Sequence, residues 1–176
     1  MNSNNGGARS PTLGGDDVQA RSSAPKNGID ILIVEDNPYD VELTTHALTE
    51  NHLTDRIKTV PDGAAALDFI FCKGDYAGRD PAQRPKLILL DLNMPKIGGL
   101  EVLRQIRAEP ETHDIPVVIM THSDQDSNII EGYRLGANSF LVKHSDFEQF
   151  VKGVLTLGAY WIAMNKPPIR AVAEGA

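Results

Sequence analysis

Short, unbroken apolar runs punctuate this chain, and each ends abruptly in polar residues. Ile31 to Val34, Leu87 to Leu90 and Val117 to Met120 are the clearest. Runs of that length, rich in β-branched residues, read as strands buried on both faces. Two shorter stretches complete the set, so strands are expected over 29–34, 55–60, 87–90, 116–120 and 139–142. Between them the apolar positions recur with helical spacing. Asn37 with Pro38 opens a helix to about 51, with Val41, Leu43, Ala47 and Leu48 toward the sheet. Asp62 caps a second through Phe71 that buries Ala66, Leu67 and Ile70. Gly98 and Gly99 open a third to Ala108, with Leu100, Leu103 and Ile106 or Val102 inward and Pro110 as its stop. A fourth, about 125–135, closes at Gly136. Ser145 and Glu148 form a capping box for a last helix to about Asn165, before Pro167 and Pro168.

Five strands alternating with five helices over short connections imply parallel strands joined by right-handed crossovers. The fold class expected is α/β, a three-layer sandwich around a five-stranded parallel sheet. The flavodoxin-like strand order 2-1-3-4-5 is the common solution. One connection, 73–86, is longer than most and belongs on the surface. Residues 1–27 are Asn, Gly, Ser, Pro and charge without periodicity and read as a disordered tail. The folded domain is expected over 28–165, with 166–176 as a C-terminal arm.

Composition narrows the function. A net charge of −7 across 176 residues argues against a nucleic-acid-binding face. No window approaches the roughly 18 apolar residues that a membrane span needs, and the N-terminus lacks a signal-peptide pattern. Cys72 is the single cysteine and cannot form an internal disulfide, which suits a reducing cytoplasm.

The candidate chemistry lies at the carboxyl ends of the strands. In the order 2-1-3-4-5, strands 1 and 3 meet at the switch point, bringing Glu35, Asp36 and Asp91 together. Thr121 ends strand 4 beside them, and Lys143 ends strand 5 within reach. Three clustered carboxylates repel and raise one another's pKa. A hard divalent cation relieves this, and a small oxygen-only set with room for water and phosphate suits Mg²⁺. A metal, a lysine and a hydroxyl around one carboxylate form a cradle for a phosphoryl group, with Asp91 as nucleophile.

These residues carry a resemblance. Ile31 to Asp36, Leu90 to Pro95 with Gly99, Thr121, and Phe140 to Lys143 resemble the response-regulator receiver domains of bacterial two-component signalling, over about 29–165. The resemblance implies that Asp91 accepts phosphate from a histidine kinase. It implies that Glu35, Asp36, Asp91 and the Asn93 backbone carbonyl bind Mg²⁺, that Thr121 and Lys143 hold the phosphoryl oxygens, and that Thr121 and Phe140 act as the switch pair. Such a protein is not an enzyme in the usual sense: it catalyses only its own phosphorylation and dephosphorylation. A narrower similarity runs through Glu35 to Leu43, Asp62 to Gly63, Ala66 to Ile70, the long loop before strand 3, and Asp114 to Val118. It is to the small regulators that serve phytochrome-type histidine kinases.

The pattern departs from the family in three places. Gly98 replaces a common Asp, a change confined to a surface turn. His122 follows the switch threonine where a small residue is usual, and is expected to narrow access to the phosphoryl site. His144 follows Lys143 where the family has Pro after a cis bond; without Pro a trans peptide and a shifted loop are expected.

Only about a dozen residues follow the receiver pattern, so output is expected through protein–protein contact or onward phosphotransfer. In the last helix Phe147, Val151, Val154, Leu155, Gly158 and Ile162 form one stripe for the sheet. Phe150, Leu157, Ala159 and Trp161 add apolar surface off it. A homodimer through helix 4, strand 5, helix 5 and the C-terminal arm follows as an expectation. Two alternatives stand beside this reading. One is a haloacid-dehalogenase-like phosphatase, disfavoured because Asn93 stands where a second Asp is needed. The other is a receiver-like scaffold that is never phosphorylated.

Overall fold

The computed structural model of the protein describes Met1 and residues 28–122, 126–143 and 146–168. Five parallel strands, β1 (Ile31–Val34), β2 (Ile57–Val60), β3 (Leu87–Asp91), β4 (Val117–Thr121) and β5 (Ser139–Val142), form one sheet in the order β2-β1-β3-β4-β5. Helices α1 (Pro38–Glu50), α2 (Gly63–Ile70), α3 (Gly99–Ala108), α4 (Asp126–Arg134) and α5 (Phe147–Gly158) make the crossovers and cover both faces. This is the three-layer flavodoxin-like sandwich that the pattern predicts.

Period-two alternation within the apolar runs divides the core. Leu32, Val34, Ile88, Leu90, Val117 and Ile119 point to one face, where they bury Ala66, Phe69, Val102, Leu103 and Ile106 of α2 and α3. Ile31, Ile33, Leu87, Leu89, Val118 and Met120 point to the other, against Ala47 and Leu48 of α1 and Phe150 and Val154 of α5. Because both faces are covered, β1, β3 and β4 are buried along their whole length. That explains why their sequence shows runs and no polar alternation.

Strand ends differ from expectation by a residue or two. β3 runs one residue further, through Asp91, which sits in register with Met120. β4 runs through Thr121 and begins after Pro116, whose carbonyl still accepts from the Ile88 amide at 2.9 Å. β1 and β2 start later, at Ile31 and Ile57, with Asp30 and Arg56 ion-paired at the strands' entry. The long connection contains a 3₁₀ turn, Gly74–Tyr76. Arg79 pins it by stacking 3.6 Å over the Phe69 ring and donating to the Phe69 carbonyl and, at 2.7 Å, to that of Gln83.

The last helix corrects the sequence reading twice. Its N-cap is Asp146, whose carboxylate accepts from the Glu148 and Gln149 amides; the expected cap, Ser145, lies outside the described residues. Its buried stripe is also rotated. Phe150, Val154 and Gly158 are buried, Trp161 is half-buried against the same core, and Phe147 is exposed. The rotation follows from docking on α1: a Cβ on Gly158 would lie 2.8 Å from both Leu48 and Leu53 side chains, so only glycine allows this approach. Residues 159–164 continue the helix with π geometry. The expectations for residues 2–27 of the tail, for the His144 peptide and for the arm beyond Pro168 fall outside the described residues.

Candidate functional site

Parallel pairing brings four strand ends to one edge. Glu35 and Asp36 leave β1, Asp91 closes β3, Thr121 closes β4 and Lys143 follows β5. The Lys143 amide donates to the Thr121 carbonyl at 2.8 Å, extending the β4–β5 ladder to the lysine itself. Glu35, Asp91, Thr121 and Lys143 are buried, while Asp36 is exposed.

Turn geometry orients the acids. The Glu35 carboxylate accepts from the Asn37 amide at 3.1 Å, and Asn37 in turn caps α1 through the Tyr39 amide. The Asp91 Oδ2 accepts from the Asn93 amide at 2.9 Å. That leaves Oδ1 toward Lys143, 3.2 Å from Nζ. Gly99 allows the β3–α3 turn to close: its amide donates to the Leu92 carbonyl at 3.0 Å, and a Cβ there would stand 2.1 Å from the Asp91 carbonyl. Lys96, in the same turn, has positive φ and reaches Asp62 at 2.5 Å, tying the turn to the cap of α2.

Glu35, Asp36 and Asp91 each offer a carboxylate oxygen, all within 4.8 Å of one another. Lys143 is the cation in this group. Its ammonium donates to Glu35 and, at 2.9 Å, to Asp40. Burial alone would lower the Lys143 pKa, but the Glu35 hydrogen bond, the Asp91 charge and the Asp40 hydrogen bond carry it above the ordinary lysine value. Burial pushes the Glu35 carboxyl above its usual range despite Lys143 and the Asn37 amide. An acidic pocket whose carboxylate oxygens converge in this way is chemically suited to a hard divalent cation.

Every site residue that the sequence singled out for this edge is therefore within it, and one was missed. Asp40, in the first turn of α1, joins Lys143 to His122, whose Nε2 lies 3.1 Å from the Asp40 Oδ2. The signal was present: Asp40 follows Asp36 by one helical turn, which returns it to the strand end. His122 itself is exposed. Phe140 is half-buried, its ring 5.0 Å from that of Tyr133 and seated over Gly132, where a Cβ would stand 2.4 Å from it.

The sequence matches the family model described as response regulator receiver domain over residues 31–155. The response regulator Rcp1 of Synechocystis sp. is 36% identical over 132 residues, covering 75% of this chain and 88% of that protein. The crystal structure of the Mn²⁺-bound form of Rcp1 superposes with a TM-score of 0.74 at 34% identity, covering 80% of this chain and 99% of that one. The phosphorylated cyanobacterial phytochrome response regulator RcpA superposes equally well, with a TM-score of 0.74 at 34% identity over 81% of this chain and 99% of its own.

Proposed function

This chain belongs to the response regulator receiver domain family, and from that premise we propose that it relays a signal by accepting a phosphoryl group on Asp91 from a histidine kinase. The observation that carries the reading is the setting of Asp91. It is a buried carboxylate with one oxygen facing a buried lysine at 3.2 Å and two further carboxylates converging on it. An isolated strand-end aspartate has no use for either feature.

The chain's own residues do the following. Asp91 attacks phosphorus in line with the leaving group, and no proton need move. Lys143 supplies fixed positive charge to the phosphoryl oxygens, and Thr121 supplies a hydroxyl to them. The Asn93 amide holds the second Asp91 oxygen, so the nucleophile keeps one orientation. Glu35, Asp36 and Asp91, with the Asn93 carbonyl, would hold Mg²⁺. When bound, that ion neutralises the carboxylates and the transferring phosphoryl. The Mn²⁺ in the Rcp1 crystal structure supports a divalent ion in a relative's site. His122, standing at the rim and tied to Asp40, narrows the approach of water.

The kinase is proposed to be of phytochrome type, because the similar RcpA is a cyanobacterial phytochrome response regulator. Output is proposed to run through protein contact, onward phosphotransfer or a dimer using α4, β5, α5 and the arm. Exposed Ile130, Tyr133, Phe147, Tyr160 and Met164 support that surface. The protein is proposed to work in the cytoplasm without nucleic acid. Among the described residues no helix is long and apolar enough to cross a membrane.

Phosphotransfer from a phytochrome-type kinase, followed by radiolabel on the hydroxylamine-labile acyl phosphate, tests the reading. Wild type should label and Asp91→Asn should not; equal labelling of the two would remove Asp91 as acceptor.

A further inference from the structure

Lys143 has three N–H donors, and three carboxylates already surround them: Glu35, Asp40 at 2.9 Å and Asp91 at 3.2 Å. A phosphoryl group on Asp91 needs at least one of those donors. Two of the three partners cannot give one up cheaply. Glu35 is buried, with the Asn37 amide on its other oxygen, so water has no access to replace the ammonium there. Asp91 carries the phosphoryl group itself. Asp40 differs: it stands on the first turn of α1 with its side chain 16% exposed, where water can replace the lysine. The same Oδ2 also meets His122 at 3.1 Å, so one oxygen of α1 spans the residues that follow Thr121 and β5.

We propose that Asp40 is a positioning residue, a clasp that holds Lys143 and His122 across the acidic pocket at rest and yields Lys143 when a phosphoryl group seats. The inference rests on Asp91 being the acceptor. In the reaction with acetyl phosphate, an Asp91 oxygen bonds to phosphorus, the bond from phosphorus to the acetate oxygen breaks, and acetate leaves with the electron pair. Asp40 takes no part in those bonds. It competes with the incoming group for one ammonium donor, so it favours the empty pocket.

The test is the affinity for beryllofluoride, a phosphoryl mimic, at saturating Mg²⁺, read beside the affinity for Mg²⁺ alone. Asp40→Asn should bind beryllofluoride about threefold to tenfold more tightly, the scale of one charge-assisted hydrogen bond at a partly wet site. Its Mg²⁺ affinity should stay within about twofold of wild type. The two readouts separate the causes: tighter beryllofluoride binding with Mg²⁺ binding weakened by more than about twofold would assign the effect to the pocket's net charge and overturn the clasp, and structural damage would weaken both. Glu42→Gln, which neutralises an exposed carboxylate of the same helix, should leave beryllofluoride binding unchanged. Asp40→Ser serves if the Asn variant unfolds. Unchanged or weaker beryllofluoride binding without the Asp40 carboxylate, or an equal gain in Glu42→Gln, would overturn the clasp. If wild type neither binds beryllofluoride nor labels from acetyl phosphate, the acceptor role of Asp91 falls first and the clasp with it.

Discussion

Asp30 sits at the entry of β1, buried, with Arg56 at 2.7 Å, Lys86 at 2.9 Å and the Thr54 hydroxyl at 2.8 Å. Burial alone would raise its carboxyl pKa, but hydrogen bonds from Lys86, Thr54 and Arg56 hold it below the usual carboxylate range. A depressed folded-state value means that the unfolded chain binds the proton more readily. The contribution is therefore present above the ordinary value near 3.8 and is lost as pH falls through the depressed one. Asp30→Asn should cost about 2–3 kcal/mol at pH 7. The gap to wild type should be constant well above the ordinary value near 3.8 and narrow as denaturant melts are carried below it. A gap that does not narrow at all below that value would assign the loss to packing. Lys143 has the opposite sign: its raised value stabilises below the ordinary lysine range, and the benefit disappears as pH rises through the raised one. Thus the Asp30 cluster weakens toward acid pH and the contribution of the Lys143 ammonium toward alkaline pH.

At the scale of elements, two glycines set how helices meet the strand ends. Gly99 brings α3 against the last residue of β3, and any side chain there collides with the Asp91 carbonyl. Gly99→Ala should lower stability by about 2–3 kcal/mol and slow phosphorylation of Asp91 as well, because the strand end must shift. Phosphorylation at wild-type rate in a destabilised variant would show that the turn relaxes elsewhere. Gly132 on α4 makes room for the Phe140 ring. Gly132→Ala should displace that ring, visible as a changed Phe140 to Tyr133 contact in a crystal structure or by NMR. The same logic explains the rotated face of α5. Apolar residues occupy more than half of its circumference, so periodicity admits more than one inward stripe. The close approach of Gly158 to α1 selects the stripe with Phe150 and Val154.

For the whole molecule, the proposed ion site at the acidic edge predicts a stability that depends on Mg²⁺. Any ligand that binds only the folded state stabilises it by mass action. Mg²⁺ at about a hundred times its dissociation constant should add about 2.7 kcal/mol, a rise in Tm of about 5–10 °C for a domain of this size. Calorimetry with Mg²⁺ and with a chelator measures this, and Asp36→Asn should remove most of the rise while leaving the chelated Tm nearly unchanged. An undiminished rise in that variant would place the ion elsewhere. The exposed apolar residues of α4 and α5 predict a dimer at micromolar concentration by sedimentation, weakened by Tyr133→Ser or Phe147→Ser. A monomer at every concentration, with and without beryllofluoride, would leave that face for a different partner.

Strand runs, helix periods and caps are local properties, and local chemistry was enough to specify the five strands, the five helices and the polar residue at each strand's carboxyl end. Given parallel strands, even the convergence of Glu35, Asp91, Thr121 and Lys143 was legible, because strand ends at one edge are forced together by hydrogen-bond register. Three things were not legible: the inward face of α5, the place of Asp40 and the half-burial of Trp161. Each depends on which surfaces meet after the crossovers dock, and no residue's neighbours along the chain encode that. Asp40 looks like an ordinary helix-start acid until Lys143, 103 positions away, arrives beside it. Asp91 could be picked out at the end of an oily strand. Only the packed molecule decides what Lys143 must let go of in order to serve it.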